Sequence, residues 1–123
     1  MEGTSAGQTG REIAGRLDYA FLKVTGGTTV DALRRHVKDT ERHGFRTLCL
    51  PPTLAGTVKK NYPAVRVCAV VSYPLGYDSL AAKTFAIQEL IEQGVEEVDV
   101  VCDLFALVNG NFCLLYTSPS PRD

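Results

Sequence analysis

Apolar and polar residues alternate along the chain in blocks that predict strands and helices in turn. Apolar runs predict four strands, around residues 19–23 and in the segments RTLCL (46–50), VRVCAVVSY (65–73) and EEVDVVC (96–102). Apolar residues at helical spacing predict helices between them, over residues 29–43, 53–61 and 78–93. Short helical segments are also predicted from residue 11 and over residues 104–110.

Capping residues set the expected limits of the two longest helices. Thr28 with Asp31 resembles a capping box at the start of the first, and Gly44 stands just past its end. Asp78 is predicted to cap the second helix, and Gly94 to end it. Their apolar faces follow from spacing: Val30, Leu33 and Val37 in the first, and Leu80, Ile87, Leu90 and Ile91 in the second.

The alternation of strands and helices predicts an α/β fold. The strands are continuous apolar runs rather than alternating patterns, which is typical of a parallel sheet covered by helices. Two architectures use this unit, an open doubly wound sheet and a (β/α) barrel. The chain lacks the GxGxxG and GxxxxGK[ST] motifs of nucleotide-binding open sheets, which leaves both architectures open.

Composition describes an ordinary globular domain with balanced charge. The 123 residues suffice for one domain with a core, and 13 basic residues stand against 14 acidic ones. This balance offers no electrostatic footprint for nucleic acid or for an anionic membrane. The one short basic run, residues 34–36, is interpreted as a solvated helix face.

The cysteine pattern indicates a reducing compartment. The four cysteines form no CxxC pair and have no histidine at metal-ligand spacing, and three of them lie in apolar runs: Cys49, Cys68 and Cys102. In such runs a free cysteine behaves as a small hydrophobe. The N-terminus has neither the basic nor the apolar region of a signal peptide, so a cytoplasmic location is expected.

The two ends of the chain differ from its middle. Residues 1–10 are small and polar, and are predicted to be disordered. Residues 113–123, CLLYTSPSPRD, break the strand-helix pattern and resemble translated adapter or vector sequence, with a natural flexible tail as the alternative. The predicted domain therefore spans residues 11–112.

Asp99 is an ionisable residue inside an apolar strand, with a valine on each side. A buried, unpaired carboxylate costs several kcal/mol or becomes neutral, so Asp99 requires a basic partner or a polar cavity. Strand alternation would point Asp99 to the same side as Glu97, and would pack Val98 and Val100 under the helices. On composition alone the two readings stay open, with a structural ion pair slightly favoured. By the same alternation Cys49 could point into a barrel interior, although packing is the commoner role of such a residue.

Four blocks of the sequence resemble, in order and spacing, successive blocks of deoxyribose-phosphate aldolase. They are LDYAFLK (17–23), LCLPP (48–52), VRVCAVVSYPLG (65–76) and GVEEVDVVCDLFALVNGN (94–111), and the likeness covers residues 11–111. The first block departs most, because the family often has Asp-His-Thr-Leu-Leu-Lys there. Its central residues are replaced, whereas Asp18, Leu22 and Lys23 match.

The resemblance implies the N-terminal half of a (β/α)8 TIM barrel, with parallel strands and covering helices. The family needs no metal or other cofactor, and reversibly cleaves 2-deoxy-D-ribose 5-phosphate to glyceraldehyde 3-phosphate and acetaldehyde through a lysine Schiff base. Asp99 matches the family's proton-relay aspartate, and Asp18, Leu22 and Cys49 match substrate-pocket positions. The implied partner is a small sugar phosphate, and the complete protein is expected to form a homodimer.

The same resemblance places the Schiff-base lysine, its partner lysine and the phosphate-binding loops in the other half of the barrel. The chain ends 24 residues after Asp99, and three lysines on predicted helices match none of those positions: Lys59, Lys60 and Lys83. The chain alone is therefore expected to be inactive. Two alternatives remain, a short non-catalytic α/β binding module and another Schiff-base aldolase on the same barrel.

Overall fold

A computed structural model describes residues 9–110, which form alternating helices and strands. A helix over residues 9–14 (α1) is followed by β1 (Asp18–Ala20), α2 (Val30–His43), β2 (Thr47–Leu50), α3 (Pro52–Asn61), β3 (Val67–Val71), α4 (Leu80–Glu92), β4 (Glu97–Val100) and α5 (Leu104–Val108). Thr9 and Gly10 belong to α1, although they fall in the segment predicted to be disordered. The rest of that segment and the predicted tail, 113–123, lie outside the described residues.

The four strands form one parallel sheet in the order β1-β2-β3-β4. An open doubly wound sheet reverses its strand order at a switch point, whereas a barrel adds each strand beside the previous one. The order seen here is that of consecutive barrel strands. The predicted α/β class with parallel strands is confirmed.

The main core lies between one face of the sheet and the three long helices. Every second strand residue points to it, including Leu48, Leu50, Val67, Ala69 and Val71, and α2, α3 and α4 contribute Val37, Ala55, Val58, Ile87 and Leu90. Val98 and Val100 pack against this cluster, as alternation predicts. Helices thus cover one face of the described sheet. Asp99, which stands between the two valines of β4, points to the other face.

Two predicted helix caps are wrong by one residue. Thr29, not Thr28, is the N-cap of α2, and its hydroxyl accepts a hydrogen bond from the Ala32 N–H at 3.3 Å. Ser79, not Asp78, caps α4 in the same way. Both neighbours are residue types that cap well, so sequence preference alone does not choose between them. Gly44 and Gly94 follow the two helices with positive φ, as predicted.

Four helix residues differ from their predicted exposure. Val30, assigned to the apolar face of α2, is 65% exposed. Leu80 and Ile91, assigned to the apolar stripe of α4, are 42% and 50% exposed, while Lys83 on the same helix is 4% exposed. His36, assigned to a solvated face, is half-buried and stacks on Tyr19 with ring centroids 4.8 Å apart. A long amphipathic side chain can pack its methylene groups inward, which residue-type patterns do not register.

A partly buried ion pair joins α3 to the beginnings of β3 and β4. The Lys59 amine contacts the Glu96 carboxylate and donates to the Val65 carbonyl at 2.9 Å. The Val67 N–H donates to the other Glu96 oxygen at 2.8 Å. Burial raises the pKa of Glu96, but the bonds from Lys59 and Val67 and the lysine charge outweigh it, so this pKa is lowered.

Replacing Glu96 with Gln is expected to lower the free energy of unfolding by about 1–2 kcal/mol near pH 7. Because the folded-state pKa of Glu96 is lowered, its charge stabilises the fold above the ordinary glutamate pKa. That contribution is lost as the pH falls through the lowered value. Urea unfolding of both proteins should therefore converge at acid pH. Glu92→Gln, on the exposed end of α4, is the matched control; an equal Glu96→Gln effect at acid and neutral pH would contradict this assignment.

Candidate active site

The sheet face opposite the helices collects the residues that sequence reasoning singled out. Cys49 and Cys68 on neighbouring strands pack with Val70, and Leu22 joins them from the end of β1. Asp99 on β4 is paired in register with Val70. Three of the four predicted site residues, Leu22, Cys49 and Asp99, therefore lie at the carboxyl-end half of this face.

Asp99 is exposed in the described chain, which corrects the expectation that it is buried. The valines beside it point to the helical side, so the carboxylate points to the uncovered one. No ion pair of Asp99 exists within residues 9–110, whereas five pairs join other charged residues there. Of the two readings left open by the sequence, the face of a cavity fits this position and a structural ion pair does not.

Two thiols lie beside the Asp99 carboxylate. Cys49 and Cys68 are direct partners across β2 and β3, and their sulfur atoms and an Asp99 oxygen all lie within 4.8 Å of one another. Burial, followed by the negative charge of Asp99, raises the pKa of both thiols. Both are therefore protonated near pH 7, and neither is poised as a nucleophile.

Cys68 is a member of this group that sequence reasoning missed. It stands in an apolar run, where a cysteine ordinarily packs as a hydrophobe, and it is indeed fully buried. The signal that could have found it is register: in parallel neighbouring strands, Cys49 pairs directly with Cys68. Register depends on how two strands align, and residue spacing within each strand does not supply it.

The amino ends of the strands hold a separate network of charges on the same face. Asp18 accepts a hydrogen bond from the Thr47 hydroxyl at 2.6 Å and forms an ion pair with Arg46 at 2.9 Å. Arg46 reaches past β3 to Glu97, which also lies 3.6 Å from Arg66. Barrel active sites lie at the carboxyl ends of strands, so Asp18 is at the far end from such a site. Its assignment to a substrate pocket stays a prediction.

The loops at the carboxyl ends of β3 and β4 pack tightly together. Ser72 has a φ of 61° and Gly76 a φ of 72°. A Cβ at Gly76 would lie 1.9 Å from the carbonyl oxygen of Cys102. The buried Lys83 amine donates to the Val101 carbonyl at 3.0 Å, which fastens α4 to the end of β4. Sequence reasoning gave Lys83 no role, because its burial depends on how α4 packs.

Surface clefts lie both on the helical side and at the margin of this face. One of about 560 Å³ is lined by helices α3 and α4, including Thr53, Lys60 and Gln93. A smaller one of about 300 Å³ opens beside the end of β1 and is lined by residues that include Leu22, Lys23 and His36. The candidate site is therefore an open sheet face with convergent polar groups, and it resembles one wall of a lumen.

Two lysines of these helices, one on α3 and one on α4, are bound away from Asp99. Lys59 contacts Glu96 and two carbonyl oxygens, and Lys83 contacts Val101. Neither bonds to Asp99 in the described part of the chain. Near the carboxyl ends of the strands, this face supplies two thiols and the Asp99 carboxylate, with an apolar margin at Leu22 and Val70.

Comparison with known proteins supplies relatives for the chain. The chain is 33% identical over 108 residues to a deoxyribose-phosphate aldolase of Halalkalibacterium halodurans. The aligned region covers 85% of this chain and 47% of that protein. Against a deoxyribose-phosphate aldolase of Streptococcus pneumoniae the identity is 36%, over 80% of this chain and 45% of the relative. The chain thus spans about half the length of the relatives it matches. No protein-family model matches it.

Solved structures share the fold over the same fraction of their length. The aldolase QR15 superposes with a TM-score of 0.74 at 24% identity, over 83% of this chain and 45% of that one. A tetrameric deoxyribose phosphate aldolase from Aeropyrum pernix gives a TM-score of 0.68 at 24% identity, over 93% of this chain and 53% of that one. The predicted fold class, parallel strands with covering helices over about half of a TIM barrel, is confirmed. Within residues 9–110, no helix has both the length and the apolar character needed to cross a bilayer.

Proposed function

From the relationship of this chain to the deoxyribose-phosphate aldolases, we propose that it forms the N-terminal half of such an enzyme and supplies its proton-relay carboxylate. The observation that carries the proposal is the position of Asp99, which lies beside Cys49 and Cys68 on the face away from the helices and has no ion pair within residues 9–110. In a closed barrel this face lines the lumen. The face that the described chain leaves open is then the one that the second half encloses.

The proposed reaction is the reversible cleavage of 2-deoxy-D-ribose 5-phosphate to glyceraldehyde 3-phosphate and acetaldehyde. A lysine of the second half forms a Schiff base with the substrate carbonyl, and the resulting iminium accepts the electrons of the breaking carbon-carbon bond. Asp99 exchanges protons with the substrate or with a second lysine as the bond breaks. The iminium itself is the electron sink, so the proposed chemistry needs no cofactor.

The proposal also covers the compartment, the oligomeric state and the substrate of the complete enzyme. The free thiols of Cys49, Cys68 and Cys102 agree with a reducing compartment, and we place the protein in the cytoplasm. The complete protein is proposed to be a homodimer, and its partner in catalysis is a small sugar phosphate.

A fusion tests the proposal. Joining residues 1–110 to the second half of the Halalkalibacterium relative should give a barrel that turns over 2-deoxyribose 5-phosphate, measured by coupled detection of glyceraldehyde 3-phosphate. The 123-residue chain alone, and the second half alone, should give no turnover. A fusion that folds, by circular dichroism and size exclusion, but shows no aldolase activity would favour a non-catalytic binding module. Activity with a different aldehyde donor only would favour another aldolase of this barrel.

A further inference from the structure

We propose that Cys49, Cys68 and Asp99 form a binding site for one thiophilic divalent cation, of which Zn²⁺ and Cd²⁺ are typical. The three side chains come from three adjacent strands, β2, β3 and β4, and lie on one face of the sheet. Two sulfur donors and one carboxylate oxygen make a donor set that selects soft or borderline cations over Mg²⁺ and Ca²⁺. The site is additional to the proposed aldolase chemistry, which uses no metal.

The spacing of the donor atoms suits such an ion. Both sulfur atoms and the nearest Asp99 oxygen lie within 4.8 Å of one another. Tetrahedral Zn²⁺, with bonds of about 2.3 Å to sulfur and about 2.0–2.2 Å to oxygen, holds its donors about 3–4 Å apart. Small side-chain rotations therefore complete the site. The strands that carry the donors are hydrogen-bonded to each other, so the backbone is already in place.

The local charge also favours a cation. Asp99 has no ion-pair partner among residues 9–110, and Arg46, at the amino ends of the strands, pairs with Asp18 and Glu97. The carboxylate is exposed while Cys68 behind it is fully buried, so one side of the site opens to solvent. That side can take a water molecule as the fourth ligand, as open zinc sites do.

A bound cation would occupy the carboxylate that the proposed proton relay uses. Zn²⁺ or Cd²⁺ would therefore inhibit the complete enzyme. This consequence rests on the proposed function. The binding itself depends on three residues of this chain alone, and it can be measured without any enzyme activity.

The test uses the full 123-residue chain with Cys102→Ser and Cys113→Ser, which leaves only the two proposed thiol ligands. Titration with CdCl₂ under a non-thiol reductant should give thiolate-to-cadmium charge-transfer absorption that saturates at about one equivalent. Zn²⁺ should displace the signal, and Mg²⁺ should not. Cys68→Ala or Cys49→Ala should weaken Cd²⁺ binding at least about 100-fold, since even outer partners of metal ligands contribute 10–100-fold. Asp99→Asn should weaken it about 10-fold or more.

Circular dichroism of each variant checks that the fold is retained, and the same titration in concentrated urea distinguishes a built site from two free thiols. Binding in urea should be much weaker, because the unfolded chain does not hold the donors together. The proposal is overturned if no band saturates at one equivalent, if the band survives in the alanine variants, or if binding is as tight in urea. None of these outcomes bears on the aldolase proposal, which the fusion tests separately.

Discussion

Replacing Asp99 with Asn in the fused barrel is expected to lower kcat by about 10²–10⁴-fold, the usual contribution of a positioned general acid or base. Asparagine has nearly the same shape but cannot take up a proton. Substrate contacts elsewhere in the site are unchanged, so KM should change little. Steady-state rates with 2-deoxyribose 5-phosphate give both constants.

Asp31→Asn is the matched control for this prediction. It removes an exposed carboxylate on the outer surface of α2, where it pairs only with Arg34 in the described chain. This variant should keep its kcat within about two-fold, since exposed pairs contribute little. In the 123-residue chain, where Asp99 is exposed and has no ion pair within residues 9–110, Asp99→Asn should leave the thermal midpoint nearly unchanged. An unchanged kcat in a folded Asp99→Asn fusion would exclude the proton-relay role.

Replacing Gly76 with Ala is expected to destabilise the fold by about 2–5 kcal/mol. The left-handed backbone of Gly76 costs an alanine about 1–2 kcal/mol. The added Cβ would also lie 1.9 Å from the Cys102 carbonyl oxygen and 2.8 Å from that of Val101. Both are backbone atoms, so no side-chain rotation relieves the overlap, and such overpacking typically costs a further 1–3 kcal/mol.

Gly94→Ala separates the overlap from the backbone strain. Gly94 has a similar φ of 82°, but a Cβ there would meet nothing within 4 Å. Its replacement should cost only about 1–2 kcal/mol. Urea unfolding of the two variants gives the comparison, and equal losses would mean that the loops after β3 and β4 do not pack as described.

The fold could be predicted from sequence because the apolar runs and the glycines after helices agree with the tertiary structure. The apolar runs ending at Leu50 and Val71 are strands, and Gly44 and Gly94 follow their helices as predicted. The alternation of Asp99 with two valines correctly assigned the two faces of β4. Choosing a barrel over an open sheet needed the strand order, which only the structure supplies.

The rest of the site depended on packing between elements. Cys68 joins Cys49 through strand register, and Lys83 is buried because α4 presents it to the end of β4. Asp18 matches a pocket position in the resembled family, yet here it bonds to Arg46 and Thr47 at the amino end of the sheet. No spacing rule within one segment encodes contacts between residues 18 or more positions apart. These contacts form only when helices and strands pack against one another in the tertiary structure.

Borohydride trapping tests the central claim most directly, because it locates the reactive amine. The chain and the fusion are each incubated with 2-deoxyribose 5-phosphate, reduced, digested and analysed by mass spectrometry. The expected result is one stoichiometric adduct in the fusion, on a lysine of the added half, and none on the 123-residue chain. A stoichiometric adduct on Lys59, Lys83 or any other lysine of this chain would contradict the account.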